Sequence, residues 1–257
     1  MDEIIESVNE INAGFKMNNR RLRVLCYADD ALLVAENEDD LQRLLHRFNL
    51  TAQKLNMEIS CEKTQSMVVS KEPIRCKLVV NGSIVNQVMN VSYLGVETSS
   101  NRCVANEVDS QVKKAARISG CLQDVIWRNK YMSTESKTRI YKTCIRPILT
   151  YAAETRAETS ETKRKMRTTE MRILRTIRGI TLRDRIRNTD TLRELGIRDV
   201  FRWVRTRRRY WRDHVDRMGP DRIAKWAKTQ KPGTRRPVGR PPKRWHDSWT
   251  SVTQEGR

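Results

Sequence analysis

Residues 23–36 read RVLCYADDALLVAE, with Asp29 and Asp30 adjacent between two apolar runs. Val24, Leu25 and Cys26 precede the pair; Ala31, Leu32, Leu33 and Val34 follow it. The runs at 21–27 and 31–35 predict two short strands joined at Ala-Asp-Asp, a tight hairpin that fixes both carboxylates on a ridge. Two carboxylates this close repel unless a cation sits beside them. Mg²⁺ accepts carboxylate oxygens, keeps several waters and lets substrate phosphates complete its shell. Two such ions about 4 Å apart can activate a hydroxyl and neutralise a leaving pyrophosphate. Most Asp pairs in turns are merely solvated, because Asp favours turns. Strongly apolar strands on both sides weigh against that reading here.

Working outward, Asn37 with Glu38, Asp39 and Asp40 marks a helix start. Leu41, Leu44, Leu45, Phe48, Ala52 and Leu55 then recur at helical spacing and give one apolar face. Strands are expected at 65–70 (QSMVVS) and 77–80 (KLVV), a hairpin turn at Asn81-Gly82, and a closing strand at 91–95 (VSYLG). A helix on a small sheet of hairpins is an α+β layer arrangement. Beyond residue 100 the pattern turns helical, over 103–127, 134–152, 161–178 and 198–218. Ser133 and Ser160 are expected caps, Gly179 and Gly219-Pro220 expected stops, and Pro147 a local kink. The stretch from 231, KPGTRRPVGRPPKRW, predicts an extended, disordered tail.

Charge divides the chain. Residues 1–100 sum to −3 and residues 101–257 to +23, within a total of +20 over 257 residues. A polyanion is the natural partner of the second part. At 38% hydrophobic and 32% charged residues, the core is modest and the solvated surface large. No run approaches a membrane span and the acidic start is unlike a signal peptide, so the chain reads as soluble and intracellular. Six cysteines without a CxxC pair, and three histidines far from any cysteine pair, give no zinc pattern; reduced, partly buried thiols are expected.

The segment around 198–218 carries Arg202, Arg205, Arg207, Arg208, Arg209 and Arg212. Helical spacing puts Trp203, Arg207 and Trp211 on one face, and Val204, Arg208 and Val215 on another. An apolar side that packs while the arginines stay wet is the plain reading. Phosphate contacts from those arginines, with stacking from Trp211, are compatible with it. In the tail, Gly239-Arg240-Pro241 with Arg235, Arg236, Lys243 and Arg244 resembles an AT-hook core, and generic phosphate binding is favoured there over minor-groove reading.

Tyr-Ala-Asp-Asp between apolar strands resembles the polymerase motif of reverse transcriptases, and the similarity continues in order. MEISCEKTQSMVV (57–69), NGSIV (81–85) and VSYLG (91–95) resemble the palm of non-LTR (LINE-type) retrotransposon reverse transcriptases. RIYKTCIRPILTYAAET (139–155), EMRILRTIRGITLRDRIRN (170–188), RRRYWRDHVDRM (207–218) and GRPPKRW (239–245) resemble the following regions of insect-type elements. Ala152, Ala153 and Arg156 depart from the family's YGSETW pattern. The resemblance implies a partial palm at 1–97, a thumb-like all-α region at 98–180, a basic nucleic-acid-binding region at 181–230 and a tail at 231–257. It implies Asp29 as principal ligand of the catalytic Mg²⁺ (or Mn²⁺) ions with Asp30 assisting, and Tyr27 beneath the primer end or incoming nucleotide. Lys63 would stand near the leaving pyrophosphate, and Tyr93, Leu94 and Gly95 would form the primer grip. RNA template, DNA primer or target, and a nuclear location follow from the same likeness.

The family's chemistry uses a further carboxylate on an earlier strand. Asp2, Glu3, Glu6 and Glu10 lie instead in a stretch that reads as a helix. The expectation is a C-terminal part of the polymerase, inactive without an N-terminal portion. A non-catalytic nucleic-acid-binding protein is the alternative, and a decayed element copy a third.

Overall fold

A computed structural model of the protein describes residues 1–17 and 20–230, with Gly239 and Asp247. Arg235, Arg236, Arg240, Lys243 and Arg244, and the expected tail conformation, lie outside the described residues. The chain forms two compact units. One comprises Met1–Tyr93 with Thr98–Arg102; the other comprises Leu94–Glu97 and the chain from Cys103 onward.

In the first unit, α1 (Asp2–Asn9) buries Ile4 and Val8, one helical turn apart. Strand β1 (Phe15–Met17) pairs antiparallel with β2 (Arg20–Leu22). Strand β3 (Val24–Tyr27) pairs antiparallel with β4 (Asp30–Leu33), in a register that sets Val24 opposite Leu33 and Tyr27 opposite Asp30. The single strand expected over 21–27 is therefore two, serving two partners. Arg23 marks the break, its Nε donating to the Ile11 carbonyl at 2.7 Å.

Helix α2 (Glu38–Lys54) begins as its sequence dictates: the Asn37 side chain accepts from the Asp40 N–H at 2.8 Å. It is a wedge between two apolar clusters rather than a lid on one sheet. Leu44 and Ala52 pack with Ile4, Val8 and Ala13. Leu45 packs with Cys76, Leu78, Val80 and Val85. Short strands follow: β5 (Gln65–Ser66), β6 (Val79–Val80), β7 (Ser83–Ile84) and β8 (Asn86–Gln87). Asn81 and Gly82 join β6 to β7 with φ of 49° and 78°, the left-handed pair that a two-residue hairpin turn requires. The small antiparallel sheet is corrected on two points. Each sheet is a two-stranded ladder, and β5 with β8 is parallel. Only Gln65 and Ser66 of QSMVVS are laddered, because beyond them Ser100 Oγ rather than a strand satisfies the Val68 carbonyl. Strands β9 (Asn90–Tyr93) and β10 (Val96–Ser99) end the strand-rich part.

The second unit is helical: α3 (Val104–Cys121), α4 (Thr134–Ile140), α5 (Arg146–Leu149), α6 (Ser160–Arg178), α7 (Asn188–Glu194), α8 (Val200–Arg217) and α9 (Ile223–Thr229). Ser133 caps α4, accepting from the Ser136 N–H at 3.1 Å. The break expected at Pro147 falls just upstream of it, as a wide π-type turn over Tyr141–Ile145, and Pro147 sits in the first turn of α5, where its missing N–H is harmless. Thr159, not Ser160, caps α6. Its hydroxyl accepts from the Thr162 N–H at 3.2 Å while its own N–H reaches the Thr162 hydroxyl at 3.0 Å. Gly179 ends α6 at φ 73°. One core joins Val108, Tyr141, Ile145, Leu149, Leu174, Val200 and Val204, so residues 98–180 and 181–230 contribute to the same packing. All six thiols are free; Cys76 is buried and Cys26 and Cys61 half-buried, whereas Cys103, Cys121 and Cys144 are exposed. Among the described residues, no helix is long and apolar enough to cross a membrane.

Candidate functional site

The acid tip stands where its strands place it. Because Tyr27 pairs with Asp30, the turn is the two residues Ala28 and Asp29, and Ala28 takes φ 52°. A left-handed backbone is unfavourable for alanine by roughly 1–2 kcal/mol, and such strain gathers at sites where it serves a function. Asp29 and Asp30 are exposed, and Tyr27 is 65% exposed beside them. Tyr93 is brought to the same hairpin. Burial first, then the Cys26 sulfur and the Asp30 carboxylate, hold its phenol above the usual tyrosine range. Tyr93 thus lies within electrostatic reach of Asp30. Lys63 is exposed on the turn at 60–64, and among the described residues no hydrogen bond or ion pair ties it to either aspartate.

Asp29 and Asp30 are hard oxygen donors of the type a divalent cation takes. They are two donors from one hairpin. Among the described residues, no group of three or more His, Cys, Asp or Glu could hold a metal. These residues alone do not make a closed metal site.

Leu94 and Gly95 belong to the second unit, with φ of 49° and 77°. The Leu94 carbonyl accepts from the Tyr151 hydroxyl at 2.7 Å, and the Gly95 carbonyl from Gln111 Nε2 at 3.1 Å. A Cβ on Gly95 would meet the Tyr151 ring at 3.4 Å and strain the backbone as well. Tyr151 and Gln111 were not singled out from the sequence. Tyr151 lies inside the quoted 139–155 stretch, and Gln111 is a polar residue buried in α3.

The turn at 151–156 organises this unit. Arg156 is buried and donates to Glu107 Oε1 at 2.7 Å. Arg208 is buried too: it donates to the Ala153 carbonyl at 2.9 Å and the Glu154 carbonyl at 3.2 Å, and meets Glu158 at 3.2 Å. Arg208 therefore leaves the set of expected phosphate contacts, because its guanidinium is consumed by carbonyls at the end of that turn. Its face mates, Val204 and Val215, are buried with it. Arg202, Arg205, Arg207 and Arg209 are exposed on α8. Arg212 turns onto Asp213 at 3.2 Å. Trp203 packs on the core, with the Arg146 guanidinium 5.4 Å from its ring, and Trp211 lies half-buried 5.6 Å from the His214 ring. The exposed aromatic of this helix is Tyr210, at 59%.

Beneath α8, Glu170 is fully buried and gathers three donors. Tyr141 Oη donates at 2.7 Å, Arg146 Nη2 at 3.1 Å and the Val200 N–H at 3.1 Å. Burial pushes the Glu170 carboxyl up, against the pull of those donors. Burial and the adjacent carboxylate push the Tyr141 phenol far above its usual range.

Tyr27, Ala28, Asp29 and Asp30 thus form an exposed acidic hairpin tip. Residues 1–98 match the reverse transcriptase (RNA-dependent DNA polymerase) family. The chain is also 23% identical over 242 residues to a transposon-derived protein of Caenorhabditis elegans, covering 91% of this chain and 86% of that protein. It is 27% identical over 177 residues to the RNA-directed DNA polymerase from the mobile element jockey of Drosophila funebris, covering 65% of this chain. Of that polymerase the chain spans 19% of the length. The family match covers less than half of the chain, and both relatives are under 30% identical to it.

Proposed function

We propose that the chain is a segment of an RNA-directed DNA polymerase of a non-LTR retrotransposon, C-terminal and insect-type in kind. The single observation that carries this reading is the exposed Asp29–Asp30 tip inside the region that matches the reverse transcriptase family. Tyr27 and Tyr93 present aromatic surface to a primer end or nucleotide. Arg202, Arg207 and Arg209 hold template RNA or target DNA by phosphate contact. Two carboxylates from one hairpin hold Mg²⁺ only weakly in this reading, and the chain by itself is expected not to extend primers. Lys63, expected near a leaving pyrophosphate, stays unplaced in this reading, since nothing among the described residues ties it to the tip.

The purified chain, given primer–template and Mg²⁺, is expected to bind and not to extend. Binding should weaken steeply with added salt and be unchanged in Asp29→Ala/Asp30→Ala. Extension that disappears in Asp29→Ala would overturn the inactivity; absent or salt-indifferent binding would remove the nucleic-acid role.

A further inference from the structure

The sequence directs attention to the arginines of α8, but α6 carries a more one-sided surface. A groove of about 790 Å³ runs along α6 and the loop after it. Its lining includes Lys163, Arg164, Arg167, Arg172 and Arg175, and not one carboxylate. Glu161 turns away, pairing with Lys165 at 3.0 Å. Arg164 and Arg172 are exposed and form no ion pair among the described residues. Two cations are thus held beside a cationic groove with no acidic partner among the described residues.

At 1.5 Å per residue, Arg164 to Arg175 spans roughly 16 Å. A nucleic-acid strand advances about 3.4 Å per phosphate, so that span faces about five. The Thr168 hydroxyl in the lining suits phosphate or sugar oxygens, and Leu182, 77% exposed, offers an apolar edge for sugars; the Thr181 hydroxyl is held by Asp184 at 3.0 Å. No aromatic residue lines the groove, so base stacking is not its mode. A second cleft of about 480 Å³ shares Arg167 and adds Arg193, Arg198, Arg202 and Arg205, with Asp199 its one acid.

We infer that the α6 groove is a sequence-independent track for the sugar–phosphate backbone of a nucleic acid, continued through Arg167 toward α8. A concave site with one exposed leucine suits a strand better than an anionic bilayer. The inference rests on the nucleic-acid part of the proposed function and not on polymerisation.

The test is fluorescence anisotropy of the full chain over a salt series, with single-stranded RNA, an RNA hairpin and a DNA hairpin as probes. Arg164→Glu/Arg172→Glu should weaken binding at least about tenfold and reduce the log–log salt slope by roughly two. Lys113→Glu/Lys114→Glu, the same charge change on an exposed part of α3, should cost less than about threefold. Arg164→Gln/Arg172→Gln serves if the reversal disturbs the thermal melt. An unchanged groove variant, an equal loss in both variants, or tighter binding to phosphatidylserine vesicles than to every nucleic acid would overturn the inference. Loss in Arg202→Ala/Arg207→Ala with none in the groove variants would sink the groove and leave the proposed function standing. Absence of all nucleic-acid binding would sink both.

Discussion

Glu170→Ala is expected to lower the stability of the helical unit by about 3–5 kcal/mol, the cost of removing one partner of a buried ion pair. Tyr141, Arg146 and the Val200 N–H converge on this carboxylate, and it lies at 0% exposure. Without it, Arg146, 4% exposed, keeps the Arg198 carbonyl at 2.6 Å and the faces of Tyr141 and Trp203 but has no counter-charge. Urea unfolding followed by circular dichroism reads the effect; a loss below about 1 kcal/mol would contradict it. Arg146→Met/Glu170→Leu should recover much of the loss, because an apolar pair removes the desolvation cost along with the attraction. The same network carries a pH signature. The folded Tyr141 phenol titrates above its unfolded value of about 10, so its contribution is complete below that pH. It is lost as pH rises, by up to about 1.4 kcal/mol per unit. Tyr141→Phe should flatten that alkaline decline.

Arg208→Ala is the second large effect, and it separates packing from binding. Its guanidinium, 3% exposed, closes the end of the 151–156 turn through two carbonyls and Glu158. Truncation leaves those acceptors unsatisfied and Glu158 short of a counter-charge, at a cost of about 3 kcal/mol. Arg202→Ala and Arg207→Ala remove exposed side chains and should change stability by less than about 0.5 kcal/mol while weakening nucleic-acid binding several-fold. The contrast is read by pairing a urea melt with a salt-series titration for each variant. An Arg208→Ala protein of native stability that binds poorly would return Arg208 to the phosphate contacts.

Much of the site was legible because local chemistry writes it. Apolar runs around Asp29-Asp30, Asn37 before three acids, Asn81-Gly82 and Gly179 each obey short-range rules, and the structure carries the hairpin, cap, turn and stop they imply. Partners distant in sequence were not legible. Arg208 looks like its exposed neighbours until the carbonyls of 153 and 154 arrive from more than fifty residues upstream. The split at Arg23 depends on β1, a strand too short to announce itself. Left-handed Ala28, Leu94 and Ala152 carry residue types that normally avoid that backbone, so composition hides them. Arg156 is the instructive case. It departs from the family's pattern, yet Glu107 meets it at 2.7 Å, so the buried charge is compensated within the fold.

The central claim is that the Asp29–Asp30 tip is an acidic half-site of a polymerase, competent only with the part of the palm that precedes it in such enzymes. A chimaera in which this chain replaces the matching segment of the jockey polymerase, assayed for Mg²⁺-dependent primer extension, tests it most directly. Extension that falls by at least about a hundredfold in Asp29→Ala, with primer–template binding retained, is the predicted result. A chimaera that still binds primer–template but extends equally well with and without Asp29, or never extends at all, would contradict it.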